Sequence, residues 1–205
     1  MKVLLVNGSP HKEGCVYTSL SEIAKTLADE GIESEIYWIG KKAIAGCISC
    51  GKCSQIGKCV FDDGVNEIGA RIDEFDGFVF GSPVYYSGPD GQLCAFMDRL
   101  FYSNAPKFKG KIGAAVVNAR RSGTTASFER LNQYFMITNM VVPGSQYWNA
   151  THGFTPDDVR QDLEGLQTMR TLAKNIAWLI KSIDAGRKAG IAPPEYEEKV
   201  FTHFI

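Results

Sequence analysis

The 205 residues are enough for one domain with a sizeable core, and 44% hydrophobic with 22% charged residues is ordinary globular composition. A net charge of −1 supplies no global field that would recruit nucleic acid or an anionic membrane, and no run approaches the ~18 apolar residues of a membrane span. Lys2–Val6 is too short for the apolar region of a signal peptide and no cleavage site follows it, so a cytoplasmic protein is expected.

Lys2–Val6 reads as a first buried strand that ends in the turn cluster Asn7-Gly8-Ser9-Pro10. Thr18 opens a helical pattern carried by Leu20, Ile23, Ala24 and Leu27 and stopped by Gly31. Glu33–Ile39 is a second strand, followed by a long cysteine-bearing loop and a helix with apolar positions Val65, Ile68 and Ile72. Gly77–Phe80 is a third strand, closed by Gly81-Ser82-Pro83. Leu93, Phe96, Met97, Leu100 and Phe101 have the i, i+3, i+4, i+7, i+8 spacing of an amphipathic helix. Lys111–Asn118 is a fourth strand, Thr125–Met136 a helix, and Met140-Val141-Val142-Pro143 a short fifth strand. Asp157–Ile183 is expected to be the longest helix, with Pro156 in its first turn. Strands alternating with helices predict a doubly wound, five-stranded parallel sheet covered on both faces. Residues 1–185 would form the domain, with a cysteine-rich loop at 43–62, and 186–205 a C-terminal arm.

Right-handed crossovers bring every strand-to-helix loop to one edge, where ligands of such sheets bind. The first loop runs from Asn7 to Thr18 into a helix N-terminus, where free N–H groups and the helix dipole attract phosphate. Ser9, Tyr17 and Thr18 would add hydroxyl groups and His11 or Lys12 charge; an ordinary capped turn is the alternative. The loop matches neither a dinucleotide fingerprint nor a Walker motif. In the second loop, Pro83, Val84, Tyr85 and Tyr86 offer flat apolar surface to a planar ring, unless the tyrosines only edge the core. In the third, Asn118, Arg120 and Arg121 beside Gly123 suit an anion or stand as a solvated pair. Their joint placement on one edge is more specific than any one loop.

Four of the six cysteines fall within thirteen residues as Cys47-x2-Cys50-x2-Cys53-x5-Cys59. In a reducing compartment such crowding points to metal or redox chemistry rather than disulfides. Four thiolates on a glycine-containing loop can wrap an iron–sulfur cubane. Zinc, which more often uses two separated C-x-x-C pairs, and free thiols are the other occupancies. Cys15 and Cys94 are expected to pack. Trp148 and His152, beyond the last strand, would line a substrate pocket, a subunit interface or a packed loop.

The stretches VNGSPHKEGCVYTSL, GSPVYYSGPDGQLCAFMDR and GKIGAAVVNARRSGTTASFERLNQYF resemble the flavodoxin-like NADPH-dependent FMN reductases, in particular their iron–sulfur flavoprotein branch, over roughly residues 1–185. The resemblance implies a flavodoxin-like fold. It implies FMN with phosphate and ribityl at Ser9, His11, Tyr17 and Thr18, ring at Pro83, Val84, Tyr85 and Tyr86, and pyrimidine edge near Asn118, Arg120 and Arg121. It implies a [4Fe–4S] cluster on Cys47, Cys50, Cys53 and Cys59, and an oxidoreductase that passes electrons from NAD(P)H through FMN to a small-molecule acceptor with no general acid or base. The alternative is a non-enzymatic carrier fed by ferredoxin. Neither nucleic acid nor membrane is an expected partner. The apolar tail residues Ile191, Tyr196, Val200, Phe201, Phe204 and Ile205, and the habit of the resembling family, suggest a homodimer or homotetramer.

Overall fold

Alternation along the strands divides the core in two. In a computed structural model describing residues 1–204, β1 (Lys2–Asn7) turns Leu4 and Val6 to one face of the sheet and Val3 and Leu5 to the other. The first face is covered by α3 (Gly64–Arg71), α4 (Gly91–Phe108) and α5 (Thr124–Ile137), the second by α1 (Cys15–Asp29) and α7 (Leu163–Lys188). The sheet runs β2 (Glu33–Trp38), β1, β3 (Gly77–Tyr85), β5 (Ile112–Ala119), β6 (Ala150–His152), all parallel. A sixth, two-residue strand, β4 (Gly88–Pro89), folds back antiparallel on the end of β3. The chain leaves β1 towards β2 on one side and β3 continues on the other, so the order reverses between β1 and β3.

Three expectations need correction. Met140–Pro143 is not the fifth strand. Val141 makes one isolated bridge to Ile112, Pro143 has no N–H with which to extend a ladder, and the chain rejoins β5 at β6, ten residues beyond Met140, where Val117 pairs with Ala150. The long terminal helix is two helices, α6 (Pro156–Gln161) and α7, broken at Asp162. Its carboxylate accepts from Gly165 N at 3.0 Å to cap α7 and from His152 N at 2.6 Å, which outweighs one continuous ladder. Helix α1 begins at Cys15 rather than Thr18, because Gly14 supplies the extended residue before it. Helix α4 runs on to Phe108 and bends at Asn104, two residues before Pro106.

A short α2 (Cys53–Ile56) lies inside the cysteine loop. Residues 189–204 carry no helix or strand and are exposed, with Lys109 Nζ 3.4 Å from the Tyr196 ring centroid. Ile205 of the expected arm lies outside the described residues. Among the described residues, no helix is long and apolar enough to cross a membrane.

The α3/α4/α5 face is an aromatic core. Phe80 is fully buried and its ring centroid lies 5.5 Å from that of Phe101 and 5.7 Å from that of Phe135. Phe80→Ala should therefore cost about 3–5 kcal/mol. The cost will read as a lower urea midpoint at unchanged slope.

Candidate functional site

Three glycines bring the loops at the carboxyl edge into contact. Gly8 N donates to Gly81 O at 2.9 Å. A Cβ on Gly8 would stand 2.7 Å from a Leu93 methyl and 2.9 Å from that carbonyl, and one on Gly81 would stand 2.7 Å from a Val16 methyl. These absent side chains let the first loop lie against the end of β3. Gly123, at φ +91°, performs the same service between the second and third loops: its Cβ would fall 2.8 Å from Ser87 Cα and 2.9 Å from a Val84 methyl.

The first loop is braced from within. Asn7 donates to Lys12 O at 2.9 Å and accepts from Ser9 N at 3.0 Å, Ser9 Oγ accepts from His11 N at 3.1 Å, and Trp38 Nε1 donates to Ser9 O at 2.8 Å. Ser9 is buried, His11 exposed, and Tyr17 and Thr18 half-buried on the first turn of α1. Thr18 Oγ1 donates to Gly14 O at 3.2 Å. No side chain caps α1 and no acid lies in its first turn; the same holds for α5, which starts at Gly123. The neighbouring α3 and α4 are capped instead by Asp63 and Asp90. The two uncapped helix ends flank the loops and leave donors and positive dipole ends for an anionic ligand.

In the second loop β3 and β4 form a hairpin whose tip, Tyr86 and Ser87, takes left-handed φ of 49° and 61°. Pro83 and Val84 are half-buried; Tyr85 and Tyr86 are exposed, so they do not edge the core. In the third loop Arg120 and Arg121 are exposed, while Asn118 is buried and donates to Thr151 O and Oγ1 at 3.2 and 3.1 Å. Asn118 thus braces β5 to β6, with its amide hydrogens committed there.

Cys47, Cys50, Cys53 and Cys59 all line one small pocket of about 20 Å³, together with Arg99, Tyr102 and Phe61. Cys47 and Cys50 are exposed and Cys53 and Cys59 half-buried. Among the described residues, no three Cys, His, Asp or Glu side chains converge on a point that one metal ion would occupy. The four thiols share the lining of that pocket without meeting at one point. Cys15 and Cys94 lie apart. Burial raises both thiols above their ordinary pKa, and Cys15 Sγ contacts Gly153 O at 3.7 Å, in keeping with packing roles. Trp148 and His152 line an open pocket beside Thr124 and Asp162.

Sequence reading missed Trp38, whose indole fixes Ser9, and Arg99, whose buried guanidinium reaches the cysteine loop. Until the chain folds, Trp38 reads as a strand-end aromatic and Arg99 as a solvated charge on a helix.

The architecture is that of the flavodoxin-like α/β proteins. An archaeal flavodoxin superposes with a TM-score of 0.59 at 19% identity, over 88% of this chain and 99% of that one. The structure of RosB with a bound 8-demethyl-8-formylriboflavin-5′-phosphate intermediate superposes with a TM-score of 0.71 at 12% identity, over 98% and 91%. Within that class the chain belongs to the NADPH-dependent FMN reductase family, whose model matches residues 1–155. An iron–sulfur flavoprotein of Methanocaldococcus jannaschii is 35% identical over 191 residues, 89% of this chain and 99% of that protein. The chain is a flavoprotein oxidoreductase.

Gly8→Ala should drive Leu93 and the Gly81 carbonyl away from the first loop. Overpacking of this kind costs about 1–3 kcal/mol. Flavin affinity should fall about tenfold or more when titrated by fluorescence quenching; an unchanged affinity would show that the close approach is irrelevant to the ligand.

Proposed function

We propose that the protein is an NAD(P)H-dependent FMN oxidoreductase that holds a [4Fe–4S] cluster in its cysteine loop. The observation that carries the flavin part is the convergence of the two uncapped helix ends, α1 and α5, on the three touching loops. Bound there, FMN would supply the chemistry of hydride and electron transfer between a nicotinamide and a small-molecule acceptor.

The chain's own residues bind and orient. The N–H groups at the start of α1, with Ser9, Tyr17 and Thr18, hold the phosphate and ribityl hydroxyls, and His11 adds a donor at the rim. Pro83 and Val84 wall the ring, and the exposed Tyr85 and Tyr86 shield it from water. The end of α5, Arg120 and Arg121 would offer positive potential to the pyrimidine edge of the ring and so favour its reduced, anionic form. Asn118 acts by keeping the third loop on the sheet. No side chain is required as general acid or base. Cys47, Cys50, Cys53 and Cys59 supply four thiolates for the cluster, a donor set that fits the group.

A second reading has support from one feature: Cys47 and Cys50 are exposed. A cluster with an open side suits docking of a protein donor such as ferredoxin, and the chain would then relay electrons rather than oxidise a nicotinamide. Anaerobic addition of NADPH or NADH to the flavin-loaded protein separates the two. The enzyme reading expects bleaching of the flavin band without a partner, and no bleaching by either nicotinamide selects the carrier. Self-association, through the exposed apolar tail, belongs to the same proposal.

Replacing both Arg120 and Arg121 by Gln removes about 1 kcal/mol of stabilisation per charge at such exposed distances. The two-electron potential of the flavin should drop by about 40 mV; a potential that stays or rises contradicts the role given to the pair.

Anaerobic reconstitution with iron and sulfide should load about four irons per chain. Cys50→Ser with Cys53→Ser should abolish loading while FMN still binds. A native chain that takes up no iron would leave a plain flavin reductase.

A further inference from the structure

We propose that Arg99 is the positioning residue of the four-cysteine site. It clasps both stems of the loop and donates an N–H hydrogen bond to the sulfur of Cys59, so that the loop is set for a cluster and the cluster's reduction potential is raised. The proposal rests on the iron–sulfur reading of that loop and goes beyond it.

Arg99 sits on α4 and is 1% exposed. All five of its N–H groups are used. Nε donates to Cys59 Sγ at 3.2 Å. One terminal nitrogen donates to Ala45 O at 3.3 Å and Asp63 Oδ2 at 2.7 Å, the other to Phe61 O at 3.2 Å and Asp63 Oδ1 at 2.9 Å. The guanidinium also stacks 4.9 Å from the Phe61 ring centroid. Ala45 precedes the first cysteine and Phe61 and Asp63 follow the last. One planar cation therefore joins the entry and exit of the loop, a fork that lysine has too few directed donors to reproduce.

The anchoring is concentrated at Cys59. Its backbone N–H donates to Asn66 Oδ1 at 2.9 Å and its carbonyl accepts from Asn66 Nδ2 at 2.9 Å. Asn66 lies on α3, whose cap Asp63 is the partner of Arg99 and accepts from Val65 N at 3.1 Å. Cys59 is thus held from two helices, while Cys47 and Cys50 stay on the exposed side of the same cavity. The arrangement describes a site with one preplaced ligand and others that close on the incoming iron.

A structural ion pair would account for the two bonds to Asp63. It would not account for the Nε–H aimed at a sulfur on the wall of the cysteine cavity. Adding one electron to a thiolate-bound cluster increases the negative charge on its sulfurs. A donor hydrogen bond and a buried cation at one of those sulfurs stabilise the reduced form more than the oxidised one, which raises the potential.

The test uses the full-length flavin-loaded protein and two variants, Arg99→Lys and the charge-neutral pair Arg99→Gln with Asp63→Asn. Before iron is added, hydrogen exchange is measured across residues 45–63. Arg99→Lys should speed exchange there at least tenfold and leave α1 and α5 as they were; unchanged exchange overturns the clasp. After anaerobic reconstitution with ferrous iron and sulfide, the cluster's midpoint is titrated with dithionite and read by paramagnetic resonance. The neutral pair should shift it to more negative potential, and an unchanged or more positive midpoint overturns the donor role. If the neutral pair does not fold or load, the midpoint of reconstituted Arg99→Lys, which lacks the Nε–H donor, decides in its place with the same two outcomes. Absence of iron in the native chain sinks the cluster reading and this proposal together, whereas iron in the native chain with an unshifted variant sinks only the role of Arg99.

Discussion

At the carboxyl ends of β1 and β3 two backbones touch. Gly8 donates to the Gly81 carbonyl at 2.9 Å, and a methyl group on either residue would collide with what lies opposite. This contact sits where the strand order reverses, so the loops leaving the two strands part in opposite directions, the place where ligands of such sheets bind. Gly123 repeats the device one strand further on, pressing the third loop against Val84 and Ser87. The geometry of the ligand edge therefore depends on side chains that are missing, while the aromatic and aliphatic cores beneath supply the rigidity that makes the missing atoms matter.

Charge along that edge is partitioned by how each helix begins. Helices α1 and α5 start at glycines and keep their amide donors free, whereas α3 and α4 start at Asp63 and Asp90, which satisfy theirs. Anionic ligands are favoured at the first pair and disfavoured at the second. The cysteine loop lies on the disfavoured side, next to α3. There Arg99 answers both the carboxylate of Asp63 and the sulfur of Cys59. The uncapped start of α1 and the Arg99 guanidinium thus give a chain with a net charge of only −1 two separate local sources of positive potential, on opposite faces of the sheet.

The departures from the sequence reading share a cause. Met140–Pro143 has strand composition, yet Pro143 lacks a donor and the edge of β5 is completed by Ala150–His152 instead. Asp157–Ile183 has helical periodicity throughout, yet Asp162 gains more by capping α7 and holding His152 N than by continuing a ladder. In both places a local pattern was true of the segment and lost to a partner distant in sequence. Tyr86 illustrates the reverse: its exposure is decided by a hairpin tip, Tyr86-Ser87, with left-handed backbone that neither tyrosine nor serine favours.

Alternation of apolar strands with amphipathic helices was enough, by itself, to determine a doubly wound parallel sheet, and turn residues after each strand were enough to mark the ligand edge. The spacing of Cys47, Cys50, Cys53 and Cys59 anticipated in the same way that four thiols would gather around one pocket, because short-range periodicity and loop closure depend on neighbours along the chain. What only the tertiary structure decided is which atoms meet across elements: Gly8 against Gly81, Gly123 against Ser87, Trp38 on Ser9, and Arg99 between Ala45, Cys59 and Asp63. Ala45 and Arg99 lie more than fifty positions apart, and no periodicity links residues at that separation. Their contact exists because the loop and α4 are packed on the same face of one sheet.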